Sequence, residues 1–288
     1  PDPPLPAVSR PKGGGAIRGV GEKVGINSPT GTGSITVPLA VSPGRAGFGP
    51  ELSLSYDSAA GNGIFGFGWG LGLPAITRKT DKGLPTYDDA KEADTYILSG
   101  AEDLVPVLVA QGTAWVRHAE QRVVNGTAYL IHRYRPRVEG LFARIERWMR
   151  QSDGDVSWRS MSQDNVTSLY GADSASRIAD PADPRRVFAW LIVESRDGKG
   201  NAVVYDYAAE DGQGVDVSQS HERHRERRAA RYPKRIRYGN RVSALTRPDL
   251  TAAEWLFEVV FDYDEGHYEA LDPDPTRLAM LKFWRLPA

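Results

Sequence analysis

The sequence predicts a mainly β fold of extended antiparallel sheets built from consecutive hairpins, with little helix. Three observations carry that prediction. Apolar residues recur at every second position in run after run, which is the period of a half-buried strand. Turn-forming residues separate those runs at short intervals, as antiparallel hairpins require. Helical periodicity is scarce, and its best candidate is a single charged stretch at 218–231 (SQSHERHRERRAAR), with a short turn expected at 251–254.

Taken in chain order, residues 1–12 are proline-rich and expected to form an extended N-terminus, and 13–288 to form one β segment that carries the charged helical insertion 218–231. In 33–42, Ile35, Val37, Leu39 and Val41 alternate with Ser34, Thr36, Pro38 and Ala40, and Pro38 points to a sheet edge or a bulge. Residues 51–56 place Leu52, Leu54 and Tyr56 on one face, and the turn-rich 42–50 joins the two runs as a hairpin-like pair. Seventeen of the thirty glycines fall in 1–72, so backbone freedom is concentrated where the sheet begins. Within that region, Phe65, Phe67, Trp69, Leu71 and Leu73 alternate with Gly66, Gly68, Gly70 and Gly72. That pattern predicts a core strand at a sheet bend, bulky on one face and bare on the other. Further strands are expected at 95–98, 104–109, 114–117, 128–134, 141–149, 187–194, 202–208, 235–238, 255–263 and 281–285. In 255–263, Trp255, Phe257, Val259, Phe261 and Tyr263 share a face.

Composition bounds the function. The 288 residues, 40% apolar and 25% charged, are typical of globular protein and suffice for one large or two ordinary domains. A net charge of -1 argues against a bulk polyanion, so no nucleic-acid partner is expected. With no cysteine there are no disulfides, thiolate ligands or thiol nucleophiles. No stretch approaches the roughly 20 apolar residues of a membrane span, so no direct membrane insertion is expected. The opening Pro-Asp-Pro-Pro has neither methionine nor a signal-peptide pattern and suggests a piece of something larger.

Motifs with catalytic or binding chemistry fail on context. Gly61, Gly63 and Gly66 match the spacing of a dinucleotide-binding turn, but the glycines that follow cannot open a helix to hold a pyrophosphate. His221 and His224 fit one face of a helix, with Glu222 beside them and no third ligand, so a solvated helix is the better reading. The nine basic residues of 221–241 fit a solvated insertion between strands better than an anion-binding surface. Asp88-Asp89, Asp262/Asp264/Glu265 and Asp272/Asp274 lack the glycine and distal glutamate of a calcium loop. No catalytic, cofactor-binding or metal-binding residue is assigned, and neither a cofactor nor enzymatic activity is expected.

Longer phrases do carry a signal. KGGGAIRGVGEK (12–23), the run 30–87 from TGTGSITVPLAVS to KGLPTY, YILSGAEDLVPVL (96–108), FAWLIVESRDGKGNAVVYDY (188–207) and YPKRIRYGNR (232–241) resemble the SpvB family, as found at the N-terminal region of the B component of insecticidal toxin complexes. DGKGNAVVYDY (197–207) is also similar to an RHS/YD-repeat unit, with Asp197, Gly198, Gly200 and Asn201 in a turn and Val203, Val204 and Tyr205 in the next strand. The resemblance implies an RHS-shell-like architecture that encloses or carries a C-terminal cytotoxic effector. Implied partners are the remainder of the parent toxin chain, a C-component RHS partner and an A-component translocation pore. The implied location is extracellular, after synthesis in the bacterial cytoplasm. A second family context places a similar region ahead of an ADP-ribosyltransferase domain. Arginine-directed transferases use a Glu-x-Glu pair, and no two glutamates here are spaced two apart, so that domain is not expected within this chain. An alternative of another class is a carbohydrate- or host-surface-binding module that uses exposed residues among Trp115, Trp148, Trp158, Trp190, Trp255 and Trp284.

Overall fold

The computed structural model of the chain describes residues 23–27, 31–89, 91, 93–99, 103–138, 142–211, 215–223 and 225–263. Alternation in the sequence becomes a series of short strands. The first part of the chain contains β1 (Lys23–Asn27), β2 (Thr32–Leu39), β3 (Leu52–Asp57), β4 (Asn62–Gly63), β5 (Gly66–Phe67), β6 (Trp69–Leu71) and β7 (Ala75–Arg78). The middle contains β8 (Tyr96–Leu98), β9 (Asp103–Pro106), β10 (Leu108–Gln111), β11 (Ala114–Arg117), β12 (Ala119–Val124), β13 (Thr127–Pro136), β14 (Arg144–Arg150) and β15 (Val156–Met161). The rest contains β16 (Thr167–Tyr170), β17 (Arg177–Asp180), β18 (Asp183–Arg196), β19 (Ala202–Ala209), β20 (Arg231–Asn240) and β21 (Trp255–Val260). Helix among the described residues is confined to single 3₁₀ turns at Arg45–Gly47 and Ser174–Ser176.

Sequential neighbours pair antiparallel along most of the chain, as the turn spacing predicts. One pairing gives the fold its shape. β16 bonds to β15 on one side and to β18 on the other, so β18-β7-β8-β9-β13-β14-β15-β16 closes into a ring. An eight-stranded barrel is just wide enough for side chains to fill it. Cross-strand partners of the inward rows include Ile76 with Trp190, Tyr96 with Leu104, Tyr134 with Ile145, and Trp158 with Tyr170. Tyr96, Tyr134, Trp158 and Trp190 meet at ring centroids 4.9–5.9 Å apart, mostly edge to face. Edge-to-face contact suits rings with negative faces and positive edges.

The 14-residue β18 serves two structures. It helps close the barrel, and its C-terminal end continues into β19, β20 and β21. A second sheet, β1-β2-β3-β6, joins the same core through Leu52 and Leu54; beside it Phe65, between β4 and β5, meets Phe261 at 6.3 Å, and the Tyr238 hydroxyl donates to the carbonyl of Ser42, in the β2–β3 connection, at 2.9 Å. The turn between β18 and β19 places Asp197, Gly198, Gly200 and Asn201 as expected. Asp197 accepts from the backbone N–H groups of Lys199 and Asn201 and from the Asn201 side chain. Gly200 lies at φ +79°, and a Cβ there would sit 2.1 Å from the Ser243 Oγ. Fully buried Asn240 ties this corner together, accepting from Ala202 N–H and donating to the Gly200 and Val242 carbonyls. Asn240→Ala strands the buried Ala202 N–H and removes two further bonds, and is expected to cost about 1–3 kcal/mol, measured by urea unfolding.

Several expectations are corrected. Residues 218–231 form no helix among those described; they run as turns, and Arg231 already belongs to β20. The segment has no apolar stripe to bury, and without one a short helix is unstable. Buried Glu222 instead gathers Arg225 and Arg227, three and five residues on, into a closed loop. The one-faced strand at 65–73 is broken, because positive φ at Gly66 (+102°) and Gly68 (+77°) turns the chain. Phe65 is consequently buried while Phe67 is 57% exposed. The strand expected at 104–109 divides at Val107 into β9 and β10. The expected strand 281–285, the extended segment 1–12, His224, His267, Trp284, and the acidic residues Asp264, Glu265, Asp272 and Asp274 lie outside the described residues.

Candidate assembly surface

Charge converges in the barrel interior. Arg78, its side chain 1% exposed, donates from Nε to the Val187 carbonyl at 2.7 Å, and its terminal nitrogens donate to Asp89 at 2.7 and 3.0 Å and to Asp94 at 2.8 Å. Arg147, on the inward row of β14, lies 3.4 Å from Asp89, and the Tyr96 hydroxyl donates to the same carboxylate at 3.0 Å. Burial opposes ionisation of Asp89, but the hydrogen bond and charge of Arg78 and the charge of Arg147 outweigh it and hold the carboxyl below its ordinary range. Burial likewise opposes ionisation of Asp94; hydrogen bonds from the Thr86 and Tyr87 backbone, the Thr86 hydroxyl and Arg78 keep it low. Burial pushes Tyr96 and Tyr134 up to about 12. The cluster thus consists of neutral phenols and ion-paired charges. It braces the barrel and presents no activated nucleophile.

The sequence motifs disperse. Gly61, Gly63 and Gly66 belong to the small β4–β5 hairpin, with no helix behind it. Asp88 pairs with exposed Lys91, whereas its neighbour Asp89 enters the barrel, so the two adjacent acids do not share a site. No group of three or more metal-ligand side chains occurs among the described residues. Most of the basic residues at 221–241 have partners: Arg228 binds Glu226, Arg235 binds Glu258, Arg237 binds Asp206, and Arg241 binds Glu254. The stretch therefore divides between the charged connection from β19 to β20 and β20 itself. Of the tryptophans proposed for surface recognition, Trp158 and Trp190 are core residues and Trp148 and Trp255 are half-buried. Trp115 alone among those described is strongly exposed, at 71%.

What remains is surface. β10 and β11 form a two-stranded hairpin outside the barrel ring, exposing Leu108, Val109 and Trp115. β12 follows along the flank of β13 and exposes Val123 and Val124. The β12–β13 turn is tight: Asn125 and Gly126 both have positive φ, the geometry of a two-residue hairpin. On the outer face of β12–β15, Glu120, Arg122, Arg133, Arg144, Glu146, Trp148 and Arg159 form a charged patch. Here Trp148 donates to Glu146 at 2.9 Å and lies 5.4 Å from the Arg122 guanidinium. Sequence reasoning missed this patch because its members come from four strands. Their only signal was charge at alternate positions of β12 and β14, which also describes any solvated sheet face.

Comparison with known proteins gives these features a context. The family model described as Salmonella virulence plasmid 65kDa B protein matches residues 27–286. The mono(ADP-ribosyl)transferase SpvB of Salmonella typhimurium (strain 14028s / SGSC 2262) is 37% identical over 262 residues, 88% of this chain and 42% of that protein. The chain thus spans well under half the length of the curated relatives it matches. The solved N-terminal domain of effector protein SpvB from Salmonella typhimurium strain LT2 superposes with a TM-score of 0.72 at 34% identity, covering 83% of this chain and 75% of that one. A component of the TcdB2-TccC3 crystal structure superposes with a TM-score of 0.73 at 32% identity, covering 90% of this chain and 12% of that one. These findings correct the expectation of a protein without enzymatic activity, since the curated relatives are named as transferases. The matched region is their N-terminal part and not the catalytic domain.

Proposed function

From its membership of the SpvB family, to which this chain belongs, we infer that the chain is a structural segment of a bacterial toxin, a β-sheet wall or assembly platform for a shell that encloses or carries a cytotoxic effector. The observation that supports this most is the likeness, over 90% of the chain, to a component of TcdB2-TccC3. The physical design agrees. The barrel is braced internally by aromatic contacts and ion pairs, and its exposed features are strand edges, an apolar hairpin and a charged sheet face, which are the parts that dock. Residues 13–288 act as one SpvB-like segment in this reading. Its partners are the remainder of the parent chain, a C-component-like RHS protein and an A-component-like translocation pore, and it works outside the cell after synthesis in the bacterial cytoplasm.

Deleting 23–263 from the full parent chain tests the proposal. We expect co-purification with a co-expressed C-type partner to be lost. Undiminished co-purification would overturn the platform role. Within the intact parent, Leu108→Ser together with Trp115→Ser is expected to weaken co-purification at least tenfold while leaving thermal unfolding within a few degrees of the parent. A second reading is favoured by the 37% identity with the transferase relatives: the same segment precedes an effector domain in one chain. Sequencing onward from residue 288 separates the two, because the second reading requires an arginine-directed Glu-x-Glu pair downstream.

A further inference from the structure

We propose that the cleft on the outer face of β12–β15, lined by Arg122, Arg144, Glu146, Arg159 and Met161, receives the carboxylate of an aspartate or glutamate side chain from a partner polypeptide. The cleft encloses about 110 Å³. Pairing register puts its residues on one face: Arg159 opposes Glu146 across β15–β14, Glu146 opposes Arg133 across β14–β13, and Arg144 opposes Met161. Four arginines, Arg122, Arg133, Arg144 and Arg159, face two glutamates, Glu120 and Glu146.

Both glutamates are already engaged. Glu120 binds Arg122 and lies 3.6 Å from Arg133. Glu146, its side chain 4% exposed, accepts from Arg144 and from the Trp148 indole. Glu194, reached from Arg159 through Leu169 of β16, is held by Arg196. Among the described residues Arg159 has no ion pair, and the Nε atoms of Arg159 and Arg133 are buried with no hydrogen-bond acceptor. Arg159 thus brings a charge that no carboxylate of the described residues compensates, and an incoming carboxylate at its terminal nitrogens would compensate it.

The chemistry selects the acceptor. A guanidinium fork matches a planar carboxylate in two-point geometry. Glu146 forms part of the wall, and its negative charge penalises a multiply charged phosphate more than a singly charged carboxylate. The Met161 side chain offers an apolar wall to the methylene stem of an acidic residue. This inference rests on the platform reading and names one chemical feature of the partner.

The test is titration of the 288-residue chain with sodium butyrate, a single carboxylate on a methylene stem, at fixed ionic strength, following the arginine Nε–Hε resonances by NMR. The expected result is a saturable shift at Arg159, with half-saturation at about 1–10 mM as befits a single ion-pair contact, and none at Arg235, whose carboxylate partner is Glu258. Arg159→Gln should abolish the remaining patch shifts, and so should Met161→Trp, which fills the cleft without altering a charge. Shifts that do not saturate, that sodium chloride reproduces, or that survive both substitutions would overturn the site. Tighter binding of inorganic phosphate than of butyrate would overturn the carboxylate assignment. Because this readout needs no partner protein, its failure leaves the co-purification experiment standing, and the converse also holds.

Discussion

Trp190→Ala is expected to remove about 4 kcal/mol of folding stability, the largest loss from any single side chain considered. Trp190 is fully buried, donates its indole N–H to the Val156 carbonyl at 2.9 Å, and packs edge to face on Tyr96 and Trp158. Truncation therefore removes transfer free energy, opens a cavity that a closed barrel cannot collapse to fill, and orphans a carbonyl. The Gly171 Cα side shows how closely the ring is seated, since a Cβ there would lie 2.3 Å from the Trp190 ring. A domain of ordinary stability, about 5–15 kcal/mol, would lose much of its margin. Urea unfolding of the chain measures the loss, with Trp115→Ala as the exposed control, expected to change stability by less than about 0.5 kcal/mol. A loss below about 1.5 kcal/mol for Trp190→Ala would show that the barrel interior is not the packed core described above.

Asp89→Ala is expected to cost about 3 kcal/mol, because it leaves the buried charges of Arg78 and Arg147 without the carboxylate they share. Removing one partner of a buried ion pair is far more damaging than replacing the whole pair, so Arg78→Met combined with Asp89→Ala should recover part of the loss. The effect carries a pH signature. Asp89 and Asp94 titrate in the folded chain below their ordinary range. Their contribution is therefore complete above the unfolded carboxylate range near pH 4 and is lost as pH falls through the lower folded values. The gap between wild type and Asp89→Ala should be widest near neutral pH and narrow progressively on acidification below about pH 4. A gap independent of pH would remove the ion-pair explanation and leave only lost packing.

The strands that announced themselves in the sequence are those with apolar side chains on one face. β21 shows Trp255, Phe257 and Val259 at alternate positions, and β2 and β3 form the hairpin that their spacing implied. Two that did not have polar or charged residues in their buried row. β7 buries Arg78 beside Ile76, and β15 buries Ser160 beside Val156 and Trp158, so neither shows an apolar alternation long enough to stand out. β12 carries Glu120 and Arg122 on a solvated face. Closure of the barrel was equally hidden. It depends on β16 pairing with β18 across an intervening segment, and a bulge at Leu169/Tyr170 sets the register. The candidate surface had no local signature either, since four strands each contribute one or two ordinary charges. The turn at 197–201 was legible in full because glycine and asparagine at fixed offsets determine its backbone locally.

Hydrogen exchange on the full parent chain, with and without a C-type partner, tests the assembly role most directly. The account predicts new protection at 108–124 and across the outer face of β12–β15 on assembly, with the inner barrel strands β7, β8 and β16 slow in both states. Equal exchange of 108–124 in the free and assembled chains would contradict it.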